Sequence, residues 1–485
     1  MARRAFLGVD CGTQSTKVLL VDAETEEILG AGRAAHELIE RADGTREQDP
    51  EWWVAALHSA ARAALADTDV DVAGIGVSGQ QHGLVCLDGA DRPVRPAKLW
   101  NDTTTVDQCA QLTAAAGGRD AAMALTGNTF LVGYTAPKVL WLRQHEPAAY
   151  AATQRMCLPH DYLNLWLTGT FATEPGDASG TAYFDVRQRA YSQTVLGFID
   201  PERDWTRSLP PIVPSVSVLG QVRAAAAADL GLRPGLPVSA GGGDNMMAAL
   251  GVGAVVSGPV VVSLGTSGTG FAHADRPAVD PRGEASAFCD SAGGWLPLVT
   301  TLNCTVATEW IQGLFGLDHA ELDAALAASP PGARGLSFLP YLGGERTPNH
   351  PTGAGVFAGL RAAHGAQDFA RAVVEGVTFG LSYALRALQR SGVQATEITL
   401  VGGGAGSDAW AQLCADVFGL PVVRPPQTEA GALGAARQAR WAVDGVPVPT
   451  NTSAGQRFEP VTSPGLADAA QRADTLREVA LSAGL

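Results

Sequence analysis

A chain of 485 residues exceeds the size at which one hydrophobic core stops growing, so at least two domains are expected. The 34 basic and 49 acidic residues leave a net charge of −15 with no basic block, which excludes nucleic acid and an anionic membrane surface as partners. Seven cysteines, scattered singly and without a C-x-x-C pair, exclude a disulfide framework and a zinc site and point to a reducing cytoplasm.

Met1–Val9 has a basic and then apolar start, but Asp10 breaks the apolar segment before it could serve as an export signal. Phe6–Asp22 holds two β-rich runs joined by Gly12-Thr13-Gln14-Ser15-Thr16, which predicts a hairpin, and Ile28–Gly32 offers a third strand. Hydroxyls and backbone N–H groups at such a tip form a concave anion site, and Lys17 adds positive charge. Asp10, closing the first strand, either faces that site or serves as a local turn-former. Asp49-Pro50-Glu51 supplies a cap, a first-turn proline and an early acid, so a helix is predicted from there, with Trp53, Ala56, Leu57, Ala60 and Ala64 on its apolar face.

A buried strand over Val72–Val77 leads into Ser78-Gly79-Gln80-Gln81-His82-Gly83, polar groups bracketed by glycines at a strand end. His82 there is either ligand-facing or a satisfied structural histidine. Leu84–Asp88 is a further strand, ending in Lys98-Leu99-Trp100-Asn101-Asp102. Residues 103–235 are mostly helical in pattern, with breaks at Gly117-Gly118, Gly169 and Pro210–Pro214, and are expected to form an insertion covering one side of the first domain.

Pro237–Gly251 is a short apolar run, three glycines, then Asp244 where a new helix begins. Glycines let backbone approach a ligand closely, so the acid delivered by this turn is either a catalytic base or the cap of a helix over 245–250. Residues 245–272 carry no charge but hold six glycines and Pro259, which fits a buried helix and strand better than a membrane span. Pro259–Ala272 repeats the plan of Phe6–Val18: Gly265-Thr266 matches Gly12-Thr13, Thr269 matches Thr16, and Ser263 stands where Asp10 stands. The chain therefore reads as a duplicated α/β fold, 1–252 and 253–485, with two phosphate-type hairpins facing each other across a cleft. Leu339–Pro348 is a loop with an exposed charged pair, Glu345-Arg346, and a helix follows from about 366 to 389. Ile398–Trp410 is strand, glycine turn and helix start, a geometry suited to a nucleotide or its phosphates.

These segments together resemble the FGGY family of carbohydrate kinases, and within it most the bacterial xylulokinases, over residues 5–445. The strongest pieces are Gly8-Val-Asp10-x-Gly12-Thr13-x-Ser15-Thr16-Lys17, Ser78–Gly83, Leu99–Asp102, Gly241–Asn245, Ser263–Ser267, Leu339–Pro348 and Gly402-Gly403-Gly404-Ala405. The resemblance implies two domains of the actin, Hsp70 and ribonuclease H type, each a mixed five-stranded sheet with flanking helices, closing on ATP and a sugar. It implies ATP-dependent phosphorylation of D-xylulose at O5, in a homodimer. Gln81, His82, Trp100, Asp244 and Asn245 would hold the ketose; Thr13, Gln14, Ser15, Lys17, Gly265, Thr266, Gly403, Gly404, Ala405 and Ser407 would hold the nucleotide. Gln81 departs from the pattern, since methionine is common at its position in xylulokinases. Phosphoryl transfer passes through a loose, in-line transition state, so the protein mainly positions groups and neutralises charge. Asp244 is then the acceptor of the hydroxyl proton, and Asp10 the anchor for Mg²⁺, an ion that favours few carboxylates and many waters. Related kinases of ribulose, glycerol or gluconate, and an actin-like or Hsp70-like ATPase, are the alternatives; Ser78–Gly83 lacks the Arg-Glu pair typical of the glycerol enzymes.

Overall fold

In the computed structural model, which describes residues 2–426, 429–450 and 455–485, the first predicted hairpin is formed by β1 (Arg3–Cys11) and β2 (Ser15–Asp22), antiparallel, with Asp10 opposite Lys17. β3 (Ile28–Ala35) extends the meander on the far side of β2. Helix α1 (Pro50–Leu65) then carries the chain across the sheet to β4 (Val70–Gly79), parallel to β1. Asp49 caps α1 by accepting from the Glu51 N–H, as its sequence predicts. The face of Trp53, Ala56, Leu57, Ala60 and Ala64 is buried against the sheet. β5 (Val218–Gln221) and β6 (Pro237–Ser239) complete an order β5-β6-β4-β1-β2-β3.

The second half repeats this plan strand for strand. β7 (Pro259–Leu264), β8 (Gly268–Ala272) and β9 (Leu298–Thr301) form the meander, and β10 (Glu397–Val401) returns parallel to β7. β11 (Val422–Arg424) and β12 (Gln456–Phe458) finish the order β9-β8-β7-β10-β11-β12, with the same parallel and antiparallel pairings as the first sheet. The duplication read from the two Gly-Thr hairpins is thus a duplication of sheet topology. The main path through each sheet has six strands rather than the expected five, because β5 and β12 add an antiparallel edge strand; in the first sheet the short strand Gly242–Gly243 also pairs with β4. β5 lies within residues 103–235, so that segment is not only a helical cover: it also lends a strand to the main sheet and the helix α2 (Pro159–Thr168) that packs beneath β4.

The halves exchange helices. α3 (Asp244–Gly251), which follows the first sheet, places Met246 and Ala249 in one apolar cluster with Val261, Phe271, Phe288 and Leu298 of the second half. α4 (Ala366–Arg390) covers the second sheet, and α5 (Asp408–Phe418) follows β10. α6 (Ala430–Asp444) returns to the first sheet, where Ala432, Leu433, Ala436 and Ala439 pack with Phe6, Leu19, Val21 and Ala73. Glycines permit this crossing. A Cβ on Gly8 of β1 would lie 1.9 Å from the Ala432 carbonyl oxygen, and one on Gly76 of β4 would lie 2.0 Å from that of Ala435.

The sequence reading of Glu345-Arg346 as an exposed pair is corrected. Glu345 is buried, with one carboxylate oxygen accepting from the Leu302 and Arg346 backbone N–H groups at 2.6 and 2.7 Å. Burial raises its carboxyl to about 7. Among the described residues no helix is long and apolar enough to cross a membrane, and all seven cysteines are buried and unpaired.

Candidate active site

The first hairpin tip is fastened from below. Gln48, fully buried at the entry to α1, donates to the Thr13 carbonyl at 2.7 Å, while its own side-chain oxygen accepts from Gln80 and from the Trp53 indole, each at 2.9 Å. From above, the Trp100 indole donates to the Thr13 hydroxyl at 2.9 Å. Trp100 and Thr13, predicted for sugar and phosphate respectively, therefore touch. Ser15 is buried, and its hydroxyl accepts from Arg33 at 3.1 Å; Gln14 gives its backbone carbonyl to the His36 N–H at 2.9 Å. Lys17 reaches across to Glu429, just before α6, at 2.5 Å.

Asp10, one residue before the end of β1, lies beside the start of α6, where a Cβ on Gly431 would meet its carboxyl carbon at 2.8 Å. One oxygen accepts from the Ser78 hydroxyl of β4 at 2.7 Å. Burial raises its pKa, and the Ser78 hydrogen bond and the Lys17 charge oppose the rise. A carboxylate with one oxygen committed to protein leaves the other for a cation that keeps most of its waters. The residues therefore fit Mg²⁺ held by few carboxylates. Among the described residues there is no cluster of three His, Cys, Asp or Glu side chains that could hold a metal ion.

Asp244 is the first residue of α3, preceded by Gly243, so it is not the cap that one reading of the sequence allowed. Its Oδ1 accepts from the Asn245 backbone N–H at 2.7 Å and from the Asn245 amide at 2.9 Å. The same amide donates to Gln81 Oε1 at 3.0 Å, which joins Gln81, Asn245 and Asp244 in one chain and fixes which way the Gln81 amide points. Burial, and then the neighbouring charge of Asp10, raise Asp244 to about 7. That is the value a general base needs to be available at neutral pH.

His82 follows Gln81 with φ of 65°, an uncommon conformation for a residue with a side chain. Its carbonyl accepts from Lys138 Nζ at 2.7 Å and from the Thr135 hydroxyl at 3.2 Å, and these two bonds hold the turn. Its ring lies against Tyr134 and Phe288, with centroids 4.7 and 5.8 Å away. Burial, and then the positive charges of Lys138 and Arg346, hold His82 well below the usual histidine range, so it is a neutral imidazole. Lys138, fully buried, is pushed well below the usual lysine range by burial. Lys138 belongs to an aromatic, partly basic helix start over 134–143 that sequence alone reads as packing; Phe288 carries no motif signal of its own.

In the second half the hairpin tip folds back on a helix start: the Gly265 carbonyl accepts from the Thr305 N–H at 2.9 Å and that of Thr266 from Cys304 at 3.1 Å. Beyond it lies a cavity of about 590 Å³ walled by Thr305, Thr308, Leu322, Val374 and Trp410 and closed by Gly403, Gly404 and Ser407. Ser407 caps α5 by accepting from the Trp410 N–H and donates to Asp323 at 2.5 Å, so its hydroxyl is occupied structurally. Across the Gly403–Gly406 turn a second cavity of about 670 Å³ is bounded by Lys17, Gly402, Ala405 and Arg424. The volume and mixed lining of the first suit an adenosine-sized ligand; the second leads from it to Lys17 in the other half.

The match to known proteins now decides the family. The FGGY N-terminal carbohydrate-kinase domain profile matches residues 5–251, and the C-terminal domain profile matches residues 260–443. The chain belongs to the FGGY family of carbohydrate kinases. As a member of that family it is a phosphotransferase. The xylulose kinase of Haemophilus influenzae is 41% identical over 445 residues, 90% of each chain. That of Streptomyces rubiginosus is 39% identical over 477 residues, 98% of this chain and 95% of its own. The crystal structure of a xyloylose kinase from Brucella ovis, 33% identical, matches with a TM-score of 0.91 over 99% of both chains. The expected two-domain architecture is that of this family.

The structure gathers Gln81, His82, Asp244 and Asn245 at one end of the first sheet, and Thr13, Trp100 and Lys17 at the adjoining hairpin. Gly265, Thr266, Gly403, Gly404, Ala405 and Ser407 lie on the second sheet's side. The sequence reading placed Trp410 at the helix start of the Ile398–Trp410 segment but did not single out Asp323, on the helix over His319–Ala328, or Asp177 of the long insertion.

Proposed function

We propose that this chain transfers the γ-phosphoryl group of ATP to the terminal O5 of D-xylulose, giving D-xylulose 5-phosphate and ADP. Asp244 carries the reading: a carboxylate raised to about 7, hydrogen-bonded to Asn245 and joined through it to Gln81, stands where a sugar hydroxyl must lose its proton. Kinship with the xylulose kinases of Haemophilus influenzae and Streptomyces rubiginosus supports the choice of sugar.

Asp244 accepts the O5 proton as the oxygen bonds to phosphorus and the bond from phosphorus to the bridging oxygen of ADP breaks. Gln81, His82, Asn245 and Trp100 orient the ketose, and the neutral His82 ring can either donate to it or accept from it. The adenosine occupies the cavity under Trp410, and its phosphates pass the Gly403–Gly406 turn towards Thr13, Gln14, Lys17, Gly265 and Thr266. Asp10 would hold Mg²⁺, which would supply charge neutralisation at the phosphates. Lys17 exchanges Glu429 for phosphate when the nucleotide enters, so Lys17→Gln is expected to raise the KM for ATP while leaving that for the sugar near wild type. A homodimer and a cytoplasmic location belong to the same proposal, and sedimentation equilibrium tests the former.

The decisive experiment is ADP release with Mg-ATP across D-xylulose, D-ribulose, L-ribulose, glycerol and gluconate. Strong selectivity for D-xylulose is expected. If another sugar wins, the assignment of the sugar falls and the phosphoryl-transfer chemistry stands; if none stimulates ADP release, the sugar-phosphorylation reading itself falls.

A further inference from the structure

Three polar side-chain atoms near Asp244 are buried without a hydrogen-bond partner: Nε2 of Gln81, Nδ1 of His82 and Oδ1 of Asp177. Gln81 and Asp177 are themselves 4% and 0% exposed. Such atoms are costly, since each forgoes the hydrogen bond it had with water. Their positions are fixed by what the opposite ends of the same side chains do. Gln81 Oε1 accepts from Asn245, so Nε2 is the free end of that amide. Asp177 Oδ2 faces His160 Nδ1 at 2.6 Å, so Oδ1 is the free end of that carboxyl.

Two glycines lie against these side chains, where any added carbon would collide with them. A Cβ on Gly243, the residue preceding Asp244, would lie 2.8 Å from Gln81 Cγ and 3.1 Å from Asp177 Oδ1. A Cβ on Gly180 would lie 2.5 Å from His82 Nδ1 and 3.5 Å from Gln81 Nε2. Neither glycine has a positive φ, so it is close approach and not backbone shape that demands them. The Gln81 side chain and the free oxygen of Asp177 thus lie against the same glycine, Gly243, beside the base.

A sugar hydroxyl is the group that satisfies both at once, because it donates one hydrogen bond and accepts others. We propose that Asp177 is a specificity residue for the sugar: its Oδ1 accepts from one hydroxyl of the bound ketose, and Gln81 Nε2 donates to the same hydroxyl.

His160 is the positioning residue behind it. One ring nitrogen is hydrogen-bonded to Asp177 at 2.6 Å; the other lies 3.0 Å from Asp161 without hydrogen-bond geometry, and Asp161 accepts from the Leu158 N–H at the start of α2. The Asp177 backbone N–H is held by Glu174 at 2.7 Å. The carboxylate is thereby fixed on two sides, with one oxygen left over. A site built to hydrogen-bond a substrate hydroxyl rejects the analogue that lacks it, since the protein groups are then left unpaired.

This rests on the sugar-kinase reading but not on the identity of the ketose, so it is measured with whichever sugar the wild type phosphorylates. Binding of that sugar and of its monodeoxy analogues is titrated against the wild type and Asp177→Asn by tryptophan fluorescence, with ATP binding as the control. One analogue is expected to bind the wild type at least about tenfold more weakly than the parent sugar. In Asp177→Asn the parent sugar should weaken and that discrimination should shrink severalfold, with ATP affinity unchanged. Equal affinity of variant and wild type for the parent sugar overturns the proposal, and so does discrimination that survives intact. If Asp177→Asn does not fold, Gln81→Leu carries the same comparison: it removes the other partner of the hydroxyl, and undiminished discrimination there overturns the proposal as well.

Discussion

Asp244→Asn is expected to fold, to bind sugar and ATP, and to lose about 10²–10⁴ in kcat, the usual cost of removing a general base. The substitution keeps the size of the side chain and an oxygen at the Oδ1 position, so the hydrogen bonds from the Asn245 backbone and amide survive. What is lost is the capacity to take a proton as the sugar oxygen attacks. A rate within about tenfold of wild type would remove Asp244 from its role. The same carboxyl sets the pH profile. With the group raised to about 7 and the base active only when ionised, kcat/KM should fall as pH drops below 7, close to tenfold per unit once protonation dominates. The neutral, buried His82, held well below the usual histidine range, adds no second limb near 7.

The stability of this variant moves in the opposite direction from its activity. Asp244 ordinarily titrates at 3.8 but is raised to about 7 when folded, so between those values the folded protein binds more protons than the unfolded chain. Its contribution to stability is present at low pH and is lost as pH rises through about 7. A neutral Asn does not carry that buried charge. Above pH 7 the melting temperature of Asp244→Asn should therefore equal or exceed that of wild type, and a large drop there would show that the ionised carboxylate holds the fold together. Stability spent on a functional carboxylate in this way is common at active sites.

The parts of this site that were legible in the sequence are those made by local pattern. The Gly12–Thr16 turn, the Asp49 cap and the three glycines before Asp244 each announce a backbone geometry within a few residues, and each sits as read. Asp177 was not legible, because it lies between two stretches of an insertion that looked like cover and reaches the site only through the packing of α2 under β4. The cavity under Trp410 was illegible for a related reason: Thr305, Asp323 and Trp410 come from three separate helices. Glu345 was misread as exposed since its loop is rich in Gly and Pro; the backbone N–H groups of Leu302 and Arg346 converge on it only in three dimensions.

Gly434→Val should be the most destructive single substitution away from the chemistry. Gly434 lies inside α6 where that helix crosses α3, and a Cβ there would stand 1.8 Å from the Met247 carbonyl oxygen and 2.7 Å from its carbon. Both contacts are to backbone, so no side chain can swing aside. α6 cannot withdraw either, because its other faces are seated on β1 at Gly8 and on β4 at Gly76 with similar clearance. Any shift that relieves the clash must also move Gly431 from Asp10 and disturb the start of α3, where Asp244 stands. Interiors this tightly packed respond by losing cooperativity rather than by deforming smoothly. A loss of more than about 4 kcal/mol is expected, read as aggregation on expression or a collapse of the melting temperature. The control is Gly313→Ala, in an exposed helix interior with nothing within 4 Å of the added carbon, which should be neutral or stabilise by up to about 1 kcal/mol. If Gly434→Val melted within a few degrees of wild type, the close crossing of α3 and α6 could not be what locks the two halves around Asp10 and Asp244.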